Sequence, residues 1–277
     1  MLLSEKANFD YTYKIVNEKE LKMTFLPPKK NIYKKAPVYF LIPGGGWHSA
    51  ERESMIGFSK LSVELLREKG FAVVSIEYRI ADEQIKIHDI LEDCFDALGY
   101  LGEHCEELQI DKENIVTSGH SAGAHLALMT AYADGNLFTK KYDFNNNTIK
   151  VVAVAALSPA TILYEINNVN LIGFDIDYLF SNPNDFIERK KASPLNYVEH
   201  SCPPTILFAG SLDKLIYSES SKILYDKLND ENVQTKFILS KYAGHSFEKI
   251  SNDVDPSISF ENIQNILVDF VLKHITQ

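Results

Sequence analysis

The pentapeptide Gly119-His120-Ser121-Ala122-Gly123 constrains this chain more than any other stretch. A strand-like run, Ile115-Val116-Thr117-Ser118, leads into it, and a small-residue helical run from Ala124 to Ala131 leads out. A backbone that passes from strand to helix in so few residues must turn sharply. Glycines on both sides of the serine permit that turn, and they leave the hydroxyl standing clear of the sheet.

The remaining periodicity supplies the sheet that such a turn requires. Residues 8–27 alternate like two paired strands, with Phe9, Tyr11, Tyr13 and Ile15 on one face and Leu21, Met23 and Phe25 following a polar turn at Asn17 to Glu20. This hairpin is expected at the antiparallel edge. From Pro37 onward the pattern is strand then helix, repeated. Pro37 to Ile42 and Phe71 to Ile76 read as strands, and a helix from Glu53 to Lys69 is predicted between them, stopped by Gly70. Ile87, Leu91, Cys94, Leu98 and Leu101 mark one face of a helix, as do Ile263, Ile266, Leu267, Phe270 and Val271 near the C-terminus. Val151 to Leu157, Thr205 to Ala209 and Lys236 to Leu239 complete the strands. The fold class is therefore α/β, with a mostly parallel central sheet, helices on both faces and an N-terminal antiparallel hairpin.

Three residues then fall at one edge of that sheet. Ser121 follows the first strand named above. Asp213 follows Thr205 to Ala209, and His245 follows Lys236 to Leu239. In an open parallel sheet the carboxyl ends of the strands are where ligands bind. Serine is a weak nucleophile at neutral pH and needs a base, which His245 would supply, while Asp213 would hold the imidazole in the productive tautomer. Upstream, Pro43-Gly44-Gly45-Gly46-Trp47 follows a buried strand. Its glycines let backbone N–H groups of Gly45 and Gly46, with that of Ala122, face a developing negative charge.

Taken together, the glycine loop, the G-x-S-x-G turn and the order Ser, Asp, His resemble the α/β-hydrolase fold, and within it the esterase/lipase group. The resemblance covers roughly residues 30–277. Pro43 stands where many members of that group carry a histidine, so any bracing of the loop by that histidine is absent here; a proline before the glycines is similar to the acetyl-esterase-like branch. The resemblance implies a serine hydrolase cleaving small soluble carboxylic esters, extending to acetyl groups on saccharides, through an acyl-enzyme. An amidase or formamidase on the same three residues, or a catalytically silent ligand-binding relative, are the alternatives. No metal or organic cofactor is required. In the resembled family lid helices are commonly inserted where residues 161–192 depart from the alternation, a run rich in Ile, Leu, Tyr and Phe.

Composition narrows the rest. A chain of 277 residues with 45% hydrophobic content can bury its core as one domain, 1–277. The net charge of −10 argues against a polyanion-binding surface, so no nucleic-acid partner is expected. No apolar run approaches the ~20 residues that span a bilayer, and Met1-Leu2-Leu3 runs at once into Ser4-Glu5-Lys6, so neither a membrane partner nor a signal peptide is expected. Cys94, Cys105 and Cys202, an odd number without metal-ligand spacing, suggest reduced thiols and a cytoplasmic location. Asn146-Asn147-Thr148 matches a glycosylation acceptor that carries little weight without a secretion signal, within a polar connection from Lys140 to Lys150.

Several polar and aromatic residues stay open between two roles. His120 lines the site or packs beside it, and Trp47 lines the substrate pocket or packs the loop. His125 is expected to be packed or capped, and His48 to be an ordinary loop residue or a substrate contact. Arg79 and Asp93 either brace the oxyanion side as a buried pair or, as the default for charged residues, face solvent. Glu219 and Asp226 are expected to be solvent-facing helix charges. The oligomeric state is not encoded in any feature of the chain.

Overall fold

A computed structural model describes residues 9–144 and 149–275. Met1-Leu2-Leu3, Ser4-Glu5-Lys6 and the glycosylation match at Asn146-Asn147-Thr148 lie outside the described residues. The strands are β1 (Phe9–Val16), β2 (Lys19–Leu26), β3 (Ala36–Ile42), β4 (Ala72–Ile76), β5 (Ile110–His120), β6 (Val151–Leu157), β7 (Thr205–Gly210) and β8 (Thr235–Ser240). They form one sheet in the order β1-β2-β4-β3-β5-β6-β7-β8. From β4 to β8 every pairing is parallel, and β2 pairs antiparallel with both β1 and β4.

The hairpin lies at the antiparallel edge, as expected. Its turn is tight because Asn17 and Glu18 both take positive φ, 49° and 64°, which gives the twist that joins two antiparallel strands directly. A register shift between Thr12 and Lys14 interrupts β1. A bulge of this kind re-aims side chains. Here Tyr13 is buried and donates to the Glu77 carbonyl at 2.6 Å, while the neighbouring Lys14 ammonium lies 2.7–2.9 Å from Glu92, Asp93 and Asp96.

Alternation along the strands sends successive side chains to opposite faces. Val38, Phe40 and Ile42 of β3, with Val74 and Ile76 of β4, pack with the helices α3 (Ile87–Glu103) and α4 (Ala122–Tyr132). Tyr39 and Leu41, with Val73, Val116 and Phe208, face the other way, against α1 (Arg52–Phe58), α2 (Lys60–Glu68) and α7 (Phe260–His274). On the first face, at the β7 side, Val154, Ala156 and Leu207 pack with α4 and with α6 (Ser218–Asp230). Both faces are thus covered, which is why β3 is buried along its whole length.

One expected helix is two. The run from Glu53 to Lys69 breaks at Ser59, which has φ −91° and ψ 20°. Gly57 and Ser59 flank the break, and both are weaker helix formers than the residues around them. The break aims Phe58 inward, where its ring lies 4.6 Å from that of His120 and 4.6 Å from that of Phe260. Gly70 then stops α2 at φ 89°, as expected.

The irregular run from Thr161 to Ala192 contains a 3-10 turn, Asp177–Leu179, and one short helix, α5 (Phe186–Lys191). Ile162, Leu163, Leu171, Ile172, Leu179 and Phe180 are buried, so the segment is anchored by apolar side chains. Among the described residues no helix is long and apolar enough to cross a membrane. Cys94, Cys105 and Cys202 are buried free thiols.

Candidate active site

The turn at Ser121 is strained, and its neighbours show why it is built from glycines. Ser121 has φ 57° and ψ −123°, a conformation that costs of the order of 1–3 kcal/mol in a residue with a side chain. It is held by its N–H, which donates to the Leu157 carbonyl at 2.8 Å, and by its carbonyl, which accepts from the His125 N–H at 3.0 Å. A Cβ on Gly119 would lie 2.4 Å from the carbonyl of Gly123, and one on Gly123 would lie 2.0 Å from the carbonyl oxygen of Ile42. Both obstacles are backbone, the first turn of α4 in one case and the end of β3 in the other. Gly123→Ala should therefore lose about 3 kcal/mol or more of stability. For a chain of this size that corresponds to a melting midpoint roughly 6–12 °C lower. A thermal unfolding scan checks this, and a variant melting with the wild type would contradict it.

Asp213 and His245 stand at the carboxyl ends of β7 and β8, next to each other. Nδ1 of His245 and Oδ2 of Asp213 are 2.7 Å apart. The other carboxylate oxygen accepts from the N–H groups of Leu215 at 2.8 Å and Ile216 at 2.9 Å, so the buried side chain is held from both ends. A carboxylate accepts only, so the shared hydrogen sits on Nδ1 and leaves Nε2 of His245 with its lone pair free for a proton. The backbone of His245 is fixed as well. Its carbonyl accepts from Nε2–H of His120 at 3.0 Å and from the Ser158 hydroxyl at 2.8 Å.

His120 lines the site. Burial first, and then the nearby His245, push its imidazole down to about 4, so it is neutral at physiological pH. With Nε2–H committed to the His245 carbonyl, His120 holds that residue from behind.

Ser121, His120 and His245, together with Gly44, Gly45 and Gly46, line a cavity of about 470 Å³. The rest of the lining comes from α1 and its approach, through Ser49, Glu51, Ser54, Met55 and Phe58, and from Leu215 and Ser246. Gly45 and Gly46 take φ 127° and 60°, angles that side chains rarely adopt. Ala122 is the first residue of α4, so its N–H has no partner within the helix and lies at the positive end of the helix dipole.

Known proteins share sequence and fold with this chain. The BD-FAE family model matches residues 24–228. The chain belongs to the BD-FAE family. Its fold is the α/β-hydrolase fold. A putative α/β hydrolase of Acanthamoeba polyphaga mimivirus is 23% identical over 250 residues, covering 88% of this chain and 70% of that protein. Esterase LipQ of Mycobacterium tuberculosis is 27% identical over 227 residues, covering 78% of this chain and 51% of LipQ. The chain thus matches about half the length of LipQ. Among solved structures, the apo form of esterase 2 from Thermogutta terrifontis superposes with a TM-score of 0.79 at 21% identity, over 98% of this chain and 96% of that one. At that identity the likeness establishes the fold.

In this BD-FAE family member two residues lie elsewhere than a substrate contact would. Trp47 is wholly buried and does not line the cavity. Its Nε1–H donates to Nδ1 of His125 at 3.2 Å, and Nε2–H of His125 donates to the Ala192 carbonyl at 2.7 Å. Burial depresses the His125 imidazole to about 4, and the neutral ring joins the glycine loop, α4 and the end of the 161–192 segment. Of the two roles open to Trp47, loop packing is the one it fills. His48 likewise lies outside the cavity, stacked on Tyr178 at 4.0 Å between ring centroids.

Arg79 and Asp93 are not surface charges. Asp93 is wholly buried, and its carboxylate receives Nε and Nη2 of Arg79, each at 2.8 Å, as well as the Arg79 backbone N–H at 2.9 Å. Asp226 and Glu219 do face solvent on α6, Asp226 paired with Lys222 at 2.5 Å. Sequence reasoning missed α1 as a cavity wall and expected residues 161–192 there instead. None of those residues lines the cavity beside Ser121. Only the break at Gly57 to Ser59 could have signalled that Phe58 turns inward.

Proposed function

We propose that this protein is a serine hydrolase that cleaves small carboxylic esters through an acyl-enzyme. The observation that carries this reading is the Asp213–His245 couple at 2.7 Å, opening on the same cavity as Ser121 and the Gly44 to Gly46 loop. Nε2 of His245 takes the hydroxyl proton as Ser121 attacks the ester carbonyl carbon. Asp213 stabilises the imidazolium that forms. The tetrahedral oxyanion is received by the N–H groups of Gly45, Gly46 and Ala122, each worth about 3–4 kcal/mol in a dry, preorganised site. His245 then gives its proton to the leaving alkoxide, and a water molecule, activated by the same nitrogen, cleaves the acyl-serine. His120 and Ser158 contribute by holding the His245 backbone.

The cavity supports a preference for short acyl groups on hydroxyl-rich alcohols. Met55, Phe58 and Leu215 offer a small apolar surface, while Ser49, Glu51, Ser54 and Ser246 offer hydrogen-bond partners of the kind an acetylated saccharide could use. LipQ and LipC, both esterases of Mycobacterium tuberculosis, and esterase 2 of Thermogutta terrifontis, solved with propionate, with butyrate and phosphorylated by paraoxon, support the reaction class by analogy. We further propose that residues 1–277 act as one domain, in which 161–192 is an insertion packed over the glycine loop. The three buried thiols suit a reducing, cytoplasmic compartment.

Across p-nitrophenyl acetate, butyrate, octanoate and palmitate, kcat/KM should peak at acetate or butyrate. It should fall by about 5- to 150-fold by octanoate, because an overfilled pocket costs ~1–3 kcal/mol. A maximum at octanoate or longer would mean an open groove and would remove the small-ester reading.

A further inference from the structure

Consecutive glycines have little conformational preference of their own, so a loop built from Gly44, Gly45 and Gly46 needs outside partners to aim its N–H groups. Pro43 supplies no side-chain donor or acceptor for that purpose. What does hold the loop is visible in its carbonyls. The Pro43 carbonyl accepts from the Tyr78 hydroxyl at 2.8 Å, and the same hydroxyl reaches the Ser49 carbonyl at 3.2 Å. The Gly46 carbonyl accepts from the Tyr178 hydroxyl at 2.5 Å. Between them, the Gly45 carbonyl accepts from the His48 N–H at 3.0 Å. In a planar trans peptide the N–H of one residue points opposite to the carbonyl of the residue before it. Fixing these three carbonyls therefore fixes the N–H groups of Gly44, Gly46 and Trp47, and confines the Gly45 N–H between two held planes.

We propose that Tyr78 and Tyr178 are positioning residues for the oxyanion loop, clamping it from both ends by carbonyl hydrogen bonds. Residues 161–192 thereby act on the reaction through Tyr178 and not as a pocket wall. The inference rests on the reading of Gly45 and Gly46 as oxyanion donors.

Both tyrosines are themselves anchored. Tyr78 is buried and precedes Arg79, whose backbone N–H and guanidinium bind the buried Asp93. Two residues further on, the Ala81 N–H donates to the Trp47 carbonyl at 2.8 Å. The ring of Tyr178 stacks on His48, its carbonyl accepts from the Lys86 ammonium at 3.0 Å, and the segment's end is tied to Trp47 through His125. Burial pushes the Tyr178 phenol up to about 12, so it remains a donor throughout the neutral range.

The test compares wild type with Tyr78→Phe, Tyr178→Phe and the double variant, each of which removes a hydroxyl and keeps the ring. Tyr164→Phe serves as control, because that hydroxyl bonds Asn196 at 3.1 Å within and beside the same insertion and does not touch the loop. Turnover of p-nitrophenyl acetate is expressed per serine titrated with a phosphonate, so that unfolded protein is not counted. Tyr178→Phe and Tyr78→Phe should each lower kcat by between about tenfold and 10²-fold, the scale of a misaimed oxyanion donor, with KM within about twofold of wild type. Inhibition by a trifluoromethyl ketone, whose adduct carries an oxyanion, should weaken in parallel, and melting midpoints should stay within a few degrees.

If kcat per titrated serine is unchanged in both variants, or if Tyr164→Phe loses as much, the clamp is overturned while the hydrolase reading stands. A change confined to KM would also overturn it. A wild-type protein without ester turnover would overturn the hydrolase reading and the clamp together.

Discussion

Ser121→Ala should lose about 10⁶-fold in kcat toward p-nitrophenyl acetate while folding as the wild type does. The strained turn is set by backbone contacts and by the flanking glycines, so removing one hydroxyl leaves its supports in place. Substrate would still meet the Gly45, Gly46 and Ala122 N–H groups, and a residual rate of about 10³–10⁴ over water is expected from them. Stopped assays with enough enzyme to see that residue, together with circular dichroism, check both halves. Wild-type-like turnover in the alanine variant would remove Ser121 from the chemistry.

His245→Ala should cost about as much as Ser121→Ala, and the double variant scarcely more, because in the proposed mechanism the two groups act in one step and losses of that kind do not add. Asp213→Asn should cost about 10⁴-fold by a different route. The asparagine oxygen can keep the bonds from the Leu215 and Ile216 N–H groups, but its amide then donates to Nδ1 and forces the hydrogen onto Nε2. Folding should survive while the base is lost. A double Ser121, His245 variant whose deficit equals the product of the two single deficits would contradict a shared mechanism.

Much of this was legible in the sequence because it depends on local pattern. The turn at Ser121 is coded by five adjacent residues, and the short apolar runs before Asp213 and His245 place both at strand ends without any knowledge of their contacts. The hairpin turn and the Gly70 stop are likewise local. What could not be read was set by residues far apart in the chain. Arg79 and Asp93 look like ordinary charges until the loop after β4 is folded against α3, where the bulge at Tyr13 also delivers Lys14. Trp47 follows the glycines directly, yet its partner is His125 on α4, so proximity in sequence to the loop did not translate into a place in the cavity. The Tyr178 hydroxyl meets Gly46 across more than a hundred residues, a contact that no periodicity announces. Apolarity in residues 161–192 marked the segment as packed, but not which surface it packs on.

The central claim is that ester cleavage passes through an acyl group on Ser121, and it can be observed directly. Enzyme mixed with excess p-nitrophenyl acetate is quenched in acid during the first turnovers, digested and analysed by mass spectrometry. The account predicts one acetyl group on the peptide carrying Ser121, formed with a burst of p-nitrophenol and absent from Ser121→Ala. Steady turnover with no acylated peptide, or acylation at any other residue with Ser121 untouched, would contradict it.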